Sequence, residues 1–198
     1  MIIIMILYKK NKYKILYIIM INIIFGISYN KISDYLYLGN YNTACNKEFI
    51  INNDIKLVIN CSKNLDIPYF YDSNKINYFR IPINDSNTLS DNQILNDNLD
   101  YTIDLIKKYR DNKKNVFVHC FAGMQRSAAV VFVYMLHELL DYYHNNINNI
   151  EIYNMMKNMT YDDVIIYLKN KRNIVFKNGA TFDNLLRDRF NKFKQQIK

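Results

Sequence analysis

The chain has 198 residues, half of them hydrophobic, with 26 Lys/Arg against 18 Asp/Glu. That length and apolar share exclude a disordered polymer and allow one domain with a sizeable core. The three cysteines, Cys45, Cys61 and Cys120, form no CxxC and no paired pattern, which argues against a disulfide framework or a zinc site.

The net charge of +8 is uneven. Residues 1–30 carry four Lys and no acid, residues 169–198 carry nine Lys/Arg and two Asp, and the middle carries 13 basic against 16 acidic residues. The basic ends are either solvated termini or an attraction for an anionic, phosphate-bearing partner.

In chain order, the first element is an apolar and basic arm, residues 1–30. Its stretch Ile15–Ile27 is thirteen residues long, shorter than the ~20 of a membrane span. Three readings stay open: a helix that packs on the domain or on a second chain, a signal or anchor with Gly26 and Ser28 as small cleavage-site residues, or upstream coding before a start at Met20. A reducing, cytoplasmic setting suits the free thiols better than an oxidising lumen.

From Lys31 to Lys198 the pattern is that of one domain. DYLYLGN (34–40) predicts a short strand ending at Gly39, and NTACNKEFIINN a single helix. IKLVINCS (55–62) is a β-branched run, hence a buried strand. INYFRIPI (76–83) is another, ended by Pro82. Ser90 with Gln93 forms a capping box for a helix whose apolar positions are Leu95, Leu99, Ile103 and Ile106. NVFVHC (115–120) is an apolar strand, and Arg126 to about His137 a strongly apolar, buried helix. Thr160 with Asp163 caps a further helix, and a last one follows Gly179. Strands alternating with helices predict an α/β domain with a largely parallel central sheet flanked by helices, the late helices covering one face.

One segment stands apart. The chain holds only four Gly and five Ala, and four of these nine, Ala122, Gly123, Ala128 and Ala129, lie in VHCFAGMQRSAAVV, Val118–Val131. Where small residues are scarce, such a cluster marks a backbone that curls tightly or packs closely. The segment sits between an apolar strand and an apolar helix, the crevice where open α/β sheets bind ligands. A tight loop entering a helix N-terminus aims backbone N–H groups at one point and suits an anion. Arg126 adds a planar fork for two phosphate oxygens. Cys120 at the loop mouth feels those dipoles and that charge, so its thiol pKa falls below the free value of ~8.5. His119 and the Ser127 hydroxyl are placed to hold the thiolate and the loop.

His119-Cys120, five residues, then Arg126-Ser127 resembles the HCxxGxxR[ST] signature of cysteine-based protein tyrosine phosphatases, with Gly123 in register. IPIND (81–85) resembles the family's general-acid loop, with Asp85 as the acid. YLYLGNYNTA (35–44) resembles the start of the dual-specificity subfamily, its poxviral members especially, and KNKRNIVFKNGATFDNLL (169–186) its closing helical region. The resemblance implies a dual-specificity phosphatase fold and two-step hydrolysis of phosphotyrosine and phosphoserine/threonine. In that reading Cys120 is the nucleophile. Asp85 is acid and then base, Ser127 eases thiolate release, and His119 orients the loop. Phe121, Ala122, Gly123, Met124, Gln125 and Arg126 hold the phosphate.

The resemblance calls for no cofactor and no metal. It implies phosphoprotein partners and, by analogy with poxviral relatives, a homodimer through the arm; membrane contact of the arm stays open. The uncharged loop FAGMQ argues against a phosphoinositide preference. Gln125 and Ser127 depart from the HCxxGxNRTG pattern of RNA 5′-triphosphatases, although the basic C-terminal region keeps nucleic acid as an alternative. A non-catalytic phospho-binding module would have lost Cys120 or Arg126, and both are present. Cys61, ending the neighbouring strand, is either a small buried residue or a redox partner of Cys120.

Overall fold

In the computed structural model, which describes residues 26–86 and 88–198, five strands form one sheet. They are β1 (Tyr29–Ser33), β2 (Leu36–Gly39), β3 (Ile55–Asn60), β4 (Asn77–Arg80) and β5 (Asn115–His119). Their order is β1-β2-β5-β3-β4. Only β1 and β2 are antiparallel; β2–β5, β5–β3 and β3–β4 run parallel. The register aligns Gly39 and Asn60 with His119 on either side, so three C-terminal strand ends converge where β5 delivers Cys120.

Alternation along the strands divides the core. Leu36, Leu38, Leu57, Ile59, Val116 and Val118 face one cluster; Val58 and Phe117 face a smaller one. The smaller cluster is closed by three short helices, α1 (Tyr41–Ala44), α2 (Lys47–Asn52) and α3 (Phe70–Ser73), through Ala44, Phe49, Ile50, Phe70 and Tyr71. The larger is closed by α4 (Leu89–Asp111), α5 (Arg126–Asn145), α6 (Ile150–Asn158), α7 (Tyr161–Lys171) and α8 (Asp183–Gln195). The late helices do cover one face. Residues 127–136 of α5 are all buried, so the first half of this helix is enclosed on every side, as its apolar sequence requires.

Several expectations are corrected. NTACNKEFIINN is two helices, because the Asn46 side chain accepts the Phe49 N–H at 2.6 Å and restarts the helix. The cap of α4 is Thr88, whose hydroxyl accepts the Asp91 N–H at 3.1 Å, rather than Ser90. Gln93 instead donates to Asp97 one turn on. Helix α5 runs to Asn145, past the expected end near His137. Strand β1 and helix α6 are additions: β1 is an edge strand with one buried residue, and α6 buries only Met156, so neither carries a strong apolar period. The capping box of α7, Thr160 with Asp163, is as expected.

The calls on the arm fall almost wholly on residues 1–25, outside the described residues. Its last residues belong to the domain: Ser28 donates its N–H to Thr43 Oγ1 at 3.0 Å, and β1 begins at Tyr29. No helix among the described residues is long and apolar enough to cross a membrane.

Candidate active site

In the loop from Cys120 to Gln125 the carbonyls of Phe121 to Met124 turn outward, and the N–H groups of Gly123 and Met124 point in to the Cys120 sulfur. Every outward carbonyl from Phe121 to Met124 has a donor. Phe121 O accepts the Tyr41 N–H at 3.0 Å, and Met124 O the Phe176 N–H at 3.1 Å. Arg172 serves the other two, through Nε to Gly123 O at 2.9 Å and Nη2 to Ala122 O at 3.4 Å. With the carbonyls held from outside, the N–H groups are left to converge on the Cys120 sulfur. Gly123 N–H lies 3.2 Å from Sγ, and the Ser127 hydroxyl donates to Sγ at 3.2 Å. The ring is an anion site made of backbone.

Cys120 is 1% exposed. Burial alone raises a thiol pKa, but here it is outweighed. The Arg126 charge, the Ser127 hydroxyl and the N–H groups of Ser127 and Met124 together lower it below the ordinary value. Cys61, next along the neighbouring strand, is buried too, and its thiol is pushed well up by burial and by the charge of Cys120. The two buried cysteines thus have opposite character, and both are free thiols.

Arg126 opens α5. Its Nη1 donates to Ile83 O at 3.4 Å, and its Nε lies 3.7 Å from Asp85 Oδ2. Nε is buried and makes no hydrogen bond among the described residues. A buried donor without an acceptor is rare, and a phosphate oxygen in the ring would satisfy it. Asp85, 41 residues before Arg126, is thus brought to the site; its side chain is 39% exposed, open to an incoming group.

His119 is buried flat against Phe117, ring centroids 5.6 Å apart, with Tyr41 beyond at 6.2 Å. Its Nδ1 faces the Cys120 carbonyl at 3.4 Å, so it orients the loop through backbone and not through the sulfur. Burial drives its pKa from 6.5 to about 3. The unfolded chain therefore protonates first. The neutral burial of His119 contributes fully above pH 6.5, and stability falls by about 1.4 kcal/mol per pH unit as pH drops from there toward 3. Urea midpoints between pH 7 and 5, where carboxylates stay ionised, should show this slope and lose it in His119→Gln. Equal slopes in both proteins would contradict it.

One residue of the site, Arg172, was not legible beforehand. Arg172 is buried and, among the described residues, forms no ion pair with a carboxylate. Beyond the loop it donates to Asn30 Oδ1 at 2.8 Å and Ser28 Oγ at 3.1 Å. Desolvation lowers its pKa to about 10, with the negative charge of Cys120 acting in the other direction. The run KNKR gave no local sign of this, because its partners are 49 and 142 residues away. The Gln125 side chain turns outward. It donates to Gly179 O at 2.9 Å and accepts the Thr181 N–H at 3.0 Å, leaving its backbone to end the ring. Part of the basic C-terminal charge is also structural. Arg187 and Lys192 pair with Asp183 and Asp188, Arg189 with Asp100, and Lys194 closes the end of α6 through three carbonyls.

A parallel sheet that delivers a low-pKa thiol into a ring of N–H groups, closed by a guanidinium, defines the architecture of a cysteine-based phosphatase domain. The chain belongs to the dual specificity phosphatase catalytic-domain family, whose model matches residues 36–189. It is 32% identical over 111 residues to mouse "Dual specificity protein phosphatase 8", covering 56% of this chain and 16% of that protein. It is 32% identical over 109 residues to the fowlpox virus "Probable dual specificity protein phosphatase H1 homolog", covering 54% of this chain and 58% of that protein. The crystal structure of DUSP15 superposes with a TM-score of 0.60 at 22% identity, over 86% of this chain and 94% of that one. The fold is thus shared well beyond sequence identity, while the chain spans about one sixth of the length of the mouse relative.

Proposed function

We propose that the protein hydrolyses phosphotyrosine and phosphoserine/threonine in proteins through a phosphocysteine intermediate. The observation that carries this reading is the Cys120 sulfur itself, buried among N–H groups, the Ser127 hydroxyl and Arg126, with its pKa lowered. In the first step the thiolate attacks phosphorus. The P–O bond to the substrate breaks, its electron pair stays on the departing oxygen, and Asp85 gives that oxygen a proton. In the second step Asp85 takes a proton from water, the water oxygen bonds to phosphorus, and the S–P bond breaks. The electron pair returns to sulfur, where Ser127 Oγ–H donates to the thiolate. Arg126 and the N–H groups of residues 121–126 hold the equatorial oxygens throughout, a charge-stabilising role.

Phosphopeptides with phosphotyrosine or phosphothreonine should release phosphate, and triphosphate-ended RNA should not. Turnover of RNA alone would overturn the reading in favour of a triphosphatase. Binding of phosphopeptide without turnover would overturn it in favour of a binding module. Asp85→Asn should lower kcat on phosphotyrosine peptide by about 10²–10⁴-fold. On an activated aryl phosphate such as p-nitrophenyl phosphate, whose leaving group needs less proton help, the loss should be smaller. Equal losses on both substrates would remove Asp85 from the acid role.

A further inference from the structure

We infer that Asp91 is a positioning residue for the Asp85 loop, clamping it from both sides. This rests on the acid role proposed for Asp85. Asp91 lies in the first turn of α4 and is 4% exposed. One carboxylate oxygen, Oδ1, accepts the Asn84 N–H at 3.0 Å; the other, Oδ2, accepts the Ser86 hydroxyl and Thr88 Oγ1, the latter at 3.1 Å. Asn84 and Ser86 are the two neighbours of Asp85. A single buried carboxylate therefore grips the chain immediately before and after the proposed acid.

Capping alone does not require this. The molecule holds a plain capping box in α7, where Asp163 reaches back only to the N–H and hydroxyl of its own cap, Thr160, and stays exposed. Asp91 occupies the same position in α4, yet reaches past its cap to residues five and seven places earlier and is buried in doing so. Burial raises its carboxyl pKa, but the Ser86, Asn84 and Thr88 hydrogen bonds and the Lys63 charge more than reverse this, leaving it below the ordinary value. The carboxylate, not the acid, is the form the loop holds. On the opposite side the loop is met by the Lys63 N–H and Arg126 Nη1, both donating to Ile83 O. The acid is thus hung between a fixed carboxylate and the phosphate-binding arginine. A displacement of about 1 Å at a reacting group costs up to about 10²-fold in rate.

The test compares full-length wild type with Asp91→Asn, Ser86→Ala, Asp85→Asn, Asp91→Asn/Asp85→Asn and Asp163→Asn. Each is assayed for kcat on phosphotyrosine peptide and on p-nitrophenyl phosphate. Asp91→Asn should lose about 10–10²-fold on the peptide and markedly less on the activated ester. Ser86→Ala, which leaves the helix intact, should shift the ratio the same way by a smaller factor. In the Asp85→Asn background Asp91→Asn should have no further effect on the peptide rate, because there is no acid left to position. Asp163→Asn, an ordinary cap loss, should leave the ratio unchanged. Equal losses on both substrates, or additive losses in the double variant, would reduce Asp91 to a capping residue and overturn the inference. If Asp91→Asn does not fold, an unchanged ratio in Ser86→Ala overturns it equally. If Asp85→Asn itself shows no substrate dependence, the acid reading fails and the inference falls with it; if Asp85→Asn does and Asp91→Asn does not, only the inference falls.

Discussion

Cys120→Ser should abolish turnover while leaving phosphate binding in place. The whole reading turns on the sulfur being the attacking atom. A serine hydroxyl in the same ring is a far weaker nucleophile, and among the described residues no general base is hydrogen-bonded to Sγ to activate it; its side-chain neighbour Ser127 is a donor. Nucleophile replacements of this kind cost about 10⁶-fold in kcat. In the proposed mechanism the loop N–H groups and Arg126 hold phosphate, and the substitution removes none of them. The variant should retain phosphopeptide on a column and release it to free phosphate. In the wild type, alkylation by iodoacetamide should track the thiolate, so its rate rises with pH through a midpoint below that of a free thiol. Substantial turnover by Cys120→Ser would end the phosphocysteine mechanism. A midpoint at or above the free-thiol value would show that burial, and not Arg126 with the N–H groups, controls the sulfur.

Gly123→Ala should be the most disruptive Gly→Ala change among the four glycines. Gly123 has φ +69°, a conformation that costs an L side chain about 1–3 kcal/mol. Its added Cβ would also stand 2.4 Å from Gly39 O and 2.5 Å from Gly39 C. Those are backbone atoms of β2, and they have nowhere to go: a Cβ on Gly39 would itself lie 2.8 Å from the Phe117 ring and from Ser28 O. Arg172 Nη2, 3.0 Å away, closes the other side. Overpacking of this kind adds about 1–3 kcal/mol, for a total of about 2–6 kcal/mol. Relief requires the loop to move away from β2, which takes the Gly123 N–H away from Sγ. Denaturation midpoint and kcat on p-nitrophenyl phosphate should therefore fall together. An Ala variant with wild-type values of both would mean that the loop is not clamped between β2 and Arg172.

The sequence went furthest where structure is local. The strands at β2, β3, β4 and β5 and the helices α5 and α7 follow from apolar runs and a cap within a few residues of each other. It was least legible where pairing decided the outcome. YNKIS becomes a strand because it folds back on β2 through a turn at Tyr35, φ +62°, with only Ile32 fully buried. Helix α4 starts at its Thr88 cap, with Asp91 also holding Asn84 and Ser86, not at the Ser90–Gln93 pattern that local spacing favoured.

The site divides in the same way. The chemistry of Cys120, Gly123, Arg126 and Ser127 lies in eight consecutive residues, whose types and spacing already imply a thiolate in an anion-binding turn. That much the amino-acid order determines, because a loop between a strand and a helix N-terminus directs its own N–H groups. What only the tertiary structure decided is what holds that loop and completes it. Arg172 and Phe176 bind its outward carbonyls, Gly39 leaves room for Gly123, and the IPIND segment carries Asp85 to Arg126. These contacts join residues about 40 to 140 positions apart, and no local pattern encodes them. They exist because the parallel sheet brings its strand ends to one edge, where a buried polar group must take whichever partner the fold presents.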